Sequence, residues 1–294
     1  MYKLIAHNPS YGNCIGIEKS LSLKGEVQSF FKRKDKKGMF DKSKHKKGYH
    51  QAACFSSKKT YIVGSVALLS LYSKYATLFH GKTEVTVILT DTFYIQNKKQ
   101  INKIIKNMTI FCMSDLSPFC KHPHKLFYHP MELPLPKKKN DRLTICHSPF
   151  SESKRNTKGT AVIEEVIEKI QLGWNVAYDC IEGESWETSI KRKGKAHFFI
   201  DQVITKDEYG WAGGLGKSGI EAMLLKCLTF TSGEQHLSND QIPECPVVWV
   251  TPETLEETLR YYIADDEKRR DKIEEQYIWA KTYLNYEFQS EYLT

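Results

Sequence analysis

Residues 196–227, AHFFIDQVITKDEYGWAGGLGKSGIEAMLLKC, bring an acid, a run of glycines and a helix start close together. The apolar residues 197–200 read as a short strand that ends in Asp201-Gln202, with a glycine-rich loop after it. Ser218-Gly219-Ile220-Glu221-Ala222-Met223 then opens a helix. Backbone N–H groups at a helix start, helped by the helix dipole, attract phosphate; Ser218 and Gly219 are placed to supply them. A carboxylate just inside that helix, Glu221, accepts hydrogen bonds from hydroxyls. The pattern suits a ligand that carries both groups. The plainer reading of Glu221 is a first-turn acid favoured by the same dipole.

Gly216-Lys217-Ser218 looks like the end of a G-x-x-x-x-G-K-[ST] phosphate loop. That pattern needs glycine at position 211, where Trp211 stands, and Gly210 is one residue early. Such a loop also follows its strand directly, whereas residues 201–214 intervene here. The phosphate-loop reading is set aside on both counts.

The strand, the D-Q pair, the loop with Tyr209-Gly210 and the E-A-M on a helix resemble the donor-sugar site of GT-B glycosyltransferases, close to the retaining group 1 or family 4 enzymes. More of that pattern lies upstream. Thr144-Ile145-Cys146-His147-Ser148-Pro149 is similar to the strand that opens the family's second domain. Arg155-x-x-Lys158-Gly159-Thr160 is similar to its diphosphate clamp. Val176-Ala177-Tyr178 and Ile181-Glu182-Gly183 fall where the next strand should end. The resemblance covers residues 141–279 and is faint before them. It implies a GT-B fold of two doubly wound Rossmann-like α/β domains facing across a cleft. It also implies a nucleotide-diphosphate sugar as donor, a UDP-sugar foremost. Donor-site roles follow for Gly12, His147, Arg155, Lys158, Ser218, Gly219 and Glu221. Many members carry two glutamates eight positions apart in this loop and helix; here the earlier position is Gly213, and Asp207 and Glu208 are out of register.

The chain has 294 residues, enough for two ordinary domains, and 40% hydrophobic residues, enough for packed cores. No apolar run approaches the ~20 residues of a membrane span. The start, MYKLIAHN, turns polar too soon for a signal peptide and reads as a first strand. The eight cysteines contain no C-x-x-C pair and read as thiols of a cytoplasmic protein, in the host cytoplasm if a phage encodes it. Cys112, Cys120, His122 and His124 fit no standard zinc spacing, so no metal is expected.

Charge divides the chain. Residues 1–140 hold 25 Lys/Arg and 8 Asp/Glu, a net of +17, and residues 141–294 hold 18 and 27, a net of −9. Much of the excess lies in 32–37 and 42–47, with Lys34, Lys36, Lys37, Lys42, Lys44, Lys46 and Lys47 as candidate contacts to a polyanion. A solvated lysine-rich loop is the plainer reading, but the asymmetry between the halves favours a partner.

The first half alternates strands with helices. Strands are expected at 3–6, 27–31, 60–64, 84–89, 109–113 and 126–130, and helices at 17–24, 65–75 and 98–106. The basic residues 32–50 read as a loop. Residues 134–140, PLPKKKN, have linker composition. A second series follows, with strands at 144–146, 175–179, 197–200 and 246–251. Its helices are expected at 159–171, 187–193, 219–226 and 255–284. Such alternation implies parallel sheets with helices on both faces. The expected organisation is a basic acceptor-binding domain over 1–138 and a nucleotide-sugar domain over 139–275. A C-terminal segment, 276–294, is expected to pack back on the first domain.

Sugar transfer needs an acceptor hydroxyl aimed at the anomeric carbon, and an inverting route also needs a base. Asp91 and Asp115 each follow an expected buried strand and are the candidate catalytic acids; capping the next turn is the alternative for both. The basic half belongs to the acceptor in this family. DNA comes first, because compact lysine-rich chains of this kind resemble viral enzymes that glycosylate hydroxymethylated pyrimidines. The target base would then be flipped out, and Met39, Phe40, Tyr49 and His50 sit in the basic loop as candidate wedges. An anionic lipid surface and an anionic wall polymer are the alternatives. A non-catalytic nucleic-acid-binding protein on a degenerate GT-B scaffold is a further one; Gly213 favours it, while Arg155, Lys158 and Glu221 oppose it.

Overall fold

The computed structural model describes residues 2–6, 13–31, 46–47, 59–63, 84–89, 93–113, 116, 119–134, 138–150, 152, 155–205, 213–233 and 241–294. The chain divides into two compact units, residues 1–130 with 285–294, and residues 131–284.

Among the described residues the first unit holds seven parallel strands: β1 (Tyr2–Ala6), β2 (Val27–Phe31), β3 (Lys46–Lys47), β4 (Lys59–Val63), β5 (Glu84–Leu89), β6 (Thr109–Met113) and β7 (Lys125–Phe127). Their order is β3-β2-β1-β4-β5-β6-β7, the doubly wound arrangement whose strand order reverses between β1 and β4. Strands buried on both faces read as apolar runs, and β5 and β6 show it: Val87, Ile88, Leu89, Ile110, Phe111 and Cys112 are all buried. In the basic stretch read as a loop, the described residues 46–47 form β3, which pairs with Phe30 and Phe31. The helix expected at 65–75 lies outside the described residues.

The final helix, Tyr286–Leu293, belongs to this unit. Asn285 caps it by accepting from the Phe288 N–H at 2.7 Å. Tyr61 Oη donates to the Leu293 carbonyl at 3.0 Å, and Tyr292 Oη donates to the Leu126 carbonyl at 2.6 Å.

Among the described residues the second unit holds five parallel strands: β8 (Thr144–Phe150), β9 (Ala177–Glu182), β10 (Phe198–Ile200), β11 (Leu228–Thr231) and β12 (Val248–Trp249). Their order, β12-β11-β10-β8-β9, is the flavodoxin-like winding, and it switches direction between β8 and β10. Side chains alternate across the sheet. Ile145, Phe198 and Ile200 pack with Ile163, Val166, Ile167 and Ile170 of the helix Thr160–Gln171. Cys146 and Phe199 face the other way, against Ala222, Leu225 and Cys227. Each such aliphatic or aromatic side chain, fully buried, contributes about 1.5–3 kcal/mol.

Two expectations change here. The strand β11 was not expected, because its four residues, LTFT, are too short a run to stand out. The helix expected over 159–171 is present as Thr160–Gln171, with Gly159 in the left-handed region as its N-cap and a short helix, Arg155–Lys158, before it. The helix expected over 255–284 is broken into Leu255–Ala264 and Asp266–Tyr283, because Asp265 leaves helical geometry and accepts from the Lys268 N–H at 3.0 Å as a new N-cap. Among the described residues no helix is long and apolar enough to cross a membrane.

Candidate functional site

The direction switch of the second sheet places the ends of β8 and β10 side by side. Asp201 follows β10 and is fully buried. Its Oδ2 accepts from the Gly216 N–H at 2.6 Å, just before the helix Lys217–Leu224, and its Oδ1 receives Lys158 Nζ at 2.8 Å. One carboxylate therefore ties a helix start to a cation. Gln202 anchors the same loop by donating to the Gly214 carbonyl.

Two glycines make the close approach possible. Gly219 packs against Asp201, and a Cβ there would sit 2.6 Å from Leu215 Cδ1 and 3.1 Å from Asp201 Oδ2. Gly159 adopts φ +66°, and a Cβ would meet the Val203 carbonyl oxygen at 1.7 Å. That fit seats Lys158, whose carbonyl accepts from the Val203 N–H at 3.1 Å.

Glu221 is buried in the first turns of the helix Lys217–Leu224. Its Oε2 pairs with Lys193 Nζ at 2.6 Å and its Oε1 accepts from Trp186 Nε1 at 2.8 Å. Lys217 Nζ lies 3.8 Å from Oε1. Lys193 is itself buried, donates to Ser218 Oγ at 2.5 Å and lies over the Phe199 ring at 5.2 Å. Ser218 and Glu221 are thus joined through a lysine that the sequence pattern did not single out. Neither Lys193 nor Trp186 belongs to a phosphate or sugar motif. The only signal was indirect: KRKGK at 191–195 sits on a helix that precedes a buried strand.

Arg155 goes elsewhere. It donates from Nη2 to both oxygens of Glu164 at 2.6 Å and from Nη1 to Glu182 Oε2 at 3.0 Å. These carboxylates, Glu164 first, hold its pKa above the ordinary arginine range. Arg155 and Lys158, read together as one clamp, have different partners.

His147 ends inside the protein. Nδ1 lies 2.8 Å from the Ile200 carbonyl, which accepts only, so Nδ1 carries the proton. Nε2 then accepts from Thr160 Oγ at 2.9 Å. Burial pulls its pKa down to about 4, so the ring is neutral near pH 7. Expected to touch the donor, His147 has both ring nitrogens engaged by the chain, and its contacts fix the start of the helix Thr160–Gln171 against β10.

Several expected residues lie outside the described ones: Gly12, Asp91, Asp115, Lys34, Lys36, Lys37, Lys42 and Lys44. Lys46 and Lys47 are described as the backbone of β3. Among the described residues no group of three or more His, Cys, Asp or Glu is arranged to hold a metal ion.

No family model matches the sequence, and no curated protein matches it. Solved structures do match, over nearly the whole chain. HepE from Anabaena, solved with UDP-glucose, is similar with a TM-score of 0.68 at 10% identity, covering 99% of this chain and 98% of that one. Sucrose-phosphate synthase from Thermosynechococcus elongatus gives 0.65 at 12% identity, covering 100% and 97%. The chain has the GT-B fold. A glycosyltransferase from Rickettsia africae gives 0.62 at 10% identity, covering 99% and 96%. Within this GT-B chain, Asp201, Lys158, Ser218 and Glu221 stand at the carboxyl end of the second sheet, the edge where doubly wound sheets bind ligands.

Proposed function

We propose that this GT-B chain is a glycosyltransferase that takes a sugar from a nucleotide-diphosphate donor held by its second unit. The observation that carries this reading is the Asp201 bridge, which joins Lys158 to the start of the helix bearing Ser218, Gly219 and Glu221. A cation beside helix N–H groups suits a diphosphate, and the nearby carboxylate suits hydroxyls. HepE, solved with UDP-glucose, makes a UDP-sugar the first donor to test.

In this scheme the acceptor oxygen forms a bond to the anomeric carbon while the bond from that carbon to the diphosphate oxygen breaks. Lys158, Arg155 and the helix start take up the charge on the leaving diphosphate. The acceptor proton passes to a carboxylate, with Asp91 and Asp115 as the residues proposed for that role, or to the leaving group.

For the acceptor we propose a polyanion, with DNA carrying 5-hydroxymethylpyrimidines first. Its support is the charge of residues 1–140, which hold 25 Lys/Arg against 8 Asp/Glu. The test incubates the protein with such duplex DNA and a panel of sugar nucleotides, then weighs the digested nucleosides. A hexose- or pentose-sized gain is expected. Nucleotide diphosphate released without that gain keeps the transferase and overturns DNA in favour of a lipid or wall-polymer hydroxyl. Neither gain nor release overturns the transferase.

A further inference from the structure

The two oxygens of Glu221 are held by different kinds of partner. Oε2 pairs with Lys193 at 2.6 Å, and the same ammonium donates to Ser218 Oγ at 2.5 Å. Lys193 is buried and lies over the fully buried Phe199 ring, so it belongs to the packed interior. Oε1 accepts from Trp186 Nε1 at 2.8 Å, with Lys217 Nζ 3.8 Å away. Trp186 is 37% exposed, and the Lys217 side chain 20%. Among the described residues, then, Oε2 is held from the core and Oε1 from the rim.

The carboxylate itself is buried. A ligand hydroxyl reaches it only where a covering side chain gives way, and Trp186 is the one placed to do so. It is the first residue of the helix Trp186–Lys195 and lies within five successive exposed residues, 183–187. Ser185 caps that helix by accepting from the Thr188 N–H at 3.2 Å. The cap holds the backbone and leaves the χ1 and χ2 torsions of Trp186 to turn. Tryptophan suits such a place, with an apolar ring at the surface and one N–H that needs an acceptor. Exchanging the indole N–H for a hydroxyl trades one charge-assisted hydrogen bond on the carboxylate for another. The freed N–H finds water at the rim. Moving Lys193 instead would strand a buried charge.

We propose that Trp186 is the displaceable partner of Glu221: a hydroxyl of the nucleotide-sugar donor takes over Oε1 and the indole turns out to the rim, while Lys193 keeps Oε2. The proposal rests on the donor role proposed for this unit. It makes Trp186 a specificity-determining residue, because a ligand that brings phosphate but no hydroxyl leaves the indole on Glu221.

The chain has five tryptophans, so the indole N–H signals of the whole 15N-labelled protein are few enough to follow one by one. UDP is expected to move one of them upfield and to speed its exchange with water, as an N–H released from a carboxylate does. Pyrophosphate is expected to leave that signal in place. In Trp186→Phe the signal is absent. With no N–H to displace, the ligand that moved it should bind that variant about three- to tenfold tighter in calorimetry, the worth of one hydrogen bond. A signal that moves with UDP-glucose and not with UDP puts the hydroxyl on the transferred sugar instead of the ribose, and sustains the proposal. UDP and UDP-glucose both bound with every indole signal unmoved overturns it without any variant. So does a moving signal that survives in Trp186→Phe, an equal shift with pyrophosphate, or binding no tighter in the variant. Neither UDP nor UDP-glucose bound by the unaltered protein overturns the UDP-sugar donor itself.

Discussion

Two ion pairs of the second unit use the same chemistry in different surroundings. Arg155 meets Glu164 with side chains 31% and 35% exposed, whereas Lys193 meets Glu221 at 2% and 5%. Water already screens the first pair, so exchanging a carboxylate for a ligand phosphate costs little. In the second, both charges have lost their hydration; removal of Glu221 strands the Lys193 charge, and removal of Lys193 leaves Glu221 with the Trp186 N–H and Lys217 at 3.8 Å. Arg155 is therefore a cation that can change partners. Lys193 and Glu221 form a fixed frame that positions Ser218. Lys158 lies between them, with its own side chain 23% exposed but its partner Asp201 fully buried.

The sharpest way to break this contrast is Lys193→Met. It is expected to cost about 3–5 kcal/mol in thermal or denaturant unfolding, and Lys193→Met with Glu221→Gln should recover most of that. A single variant as stable as the parent would show that the pair is not a buried frame. Next comes Gly159→Ala, which tests the seat of Lys158. A left-handed backbone and a Cβ driven into the Val203 carbonyl should together cost roughly 2 kcal/mol or more, read as a lowered midpoint in urea.

His147 is another buried polar group of this unit, held to the Ile200 carbonyl and Thr160. The unfolded ring binds a proton below about 6.5 and the folded one only below about 4, so the native state is favoured above pH 6.5 and loses ground as pH falls through that window. By pH 5 the loss is about 1–2 kcal/mol. His197, lowered to about 4 by burial, tilts the same way. His147→Asn should therefore flatten part of the acid slope in unfolding curves at pH 7, 6 and 5; an unchanged slope would place the titration elsewhere. The smallest effect on stability is expected from Arg155→Ala, under about 1 kcal/mol. Its KM for the sugar nucleotide should nevertheless rise about tenfold, the worth of one charge-assisted contact. Equal losses of stability and donor affinity would erase the distinction between the two pairs.

The sheets were legible because parallel strands buried on both faces appear as apolar runs; Val87 to Leu89 and Phe198 to Ile200 could be read directly. Strand β11 hid because its tetrapeptide gains its identity only from the neighbours it joins. Helix interiors followed the apolar spacing of Ile163, Val166, Ile167 and Ile170. The break at Asp265 did not, because that residue acts through local backbone geometry. In the sequence Lys158 and Glu221 stood out by their place after a strand and at a helix start, whereas Asp201 was read only as the end of a strand and its bridge to Lys158 and Gly216 came from the structure. Lys193 did not stand out, since a lysine among lysines carries no mark of burial. Its role is set by where the helix Trp186–Lys195 packs, which spacing alone does not encode.

The helix Tyr286–Leu293 has a consequence for synthesis. Tyr61 and Tyr292 bind it to a sheet whose described strands end at residue 127. On a ribosome the described strands of both sheets are made before the helix Tyr286–Leu293, so Tyr61 and the Leu126 carbonyl wait for their partners until that helix emerges.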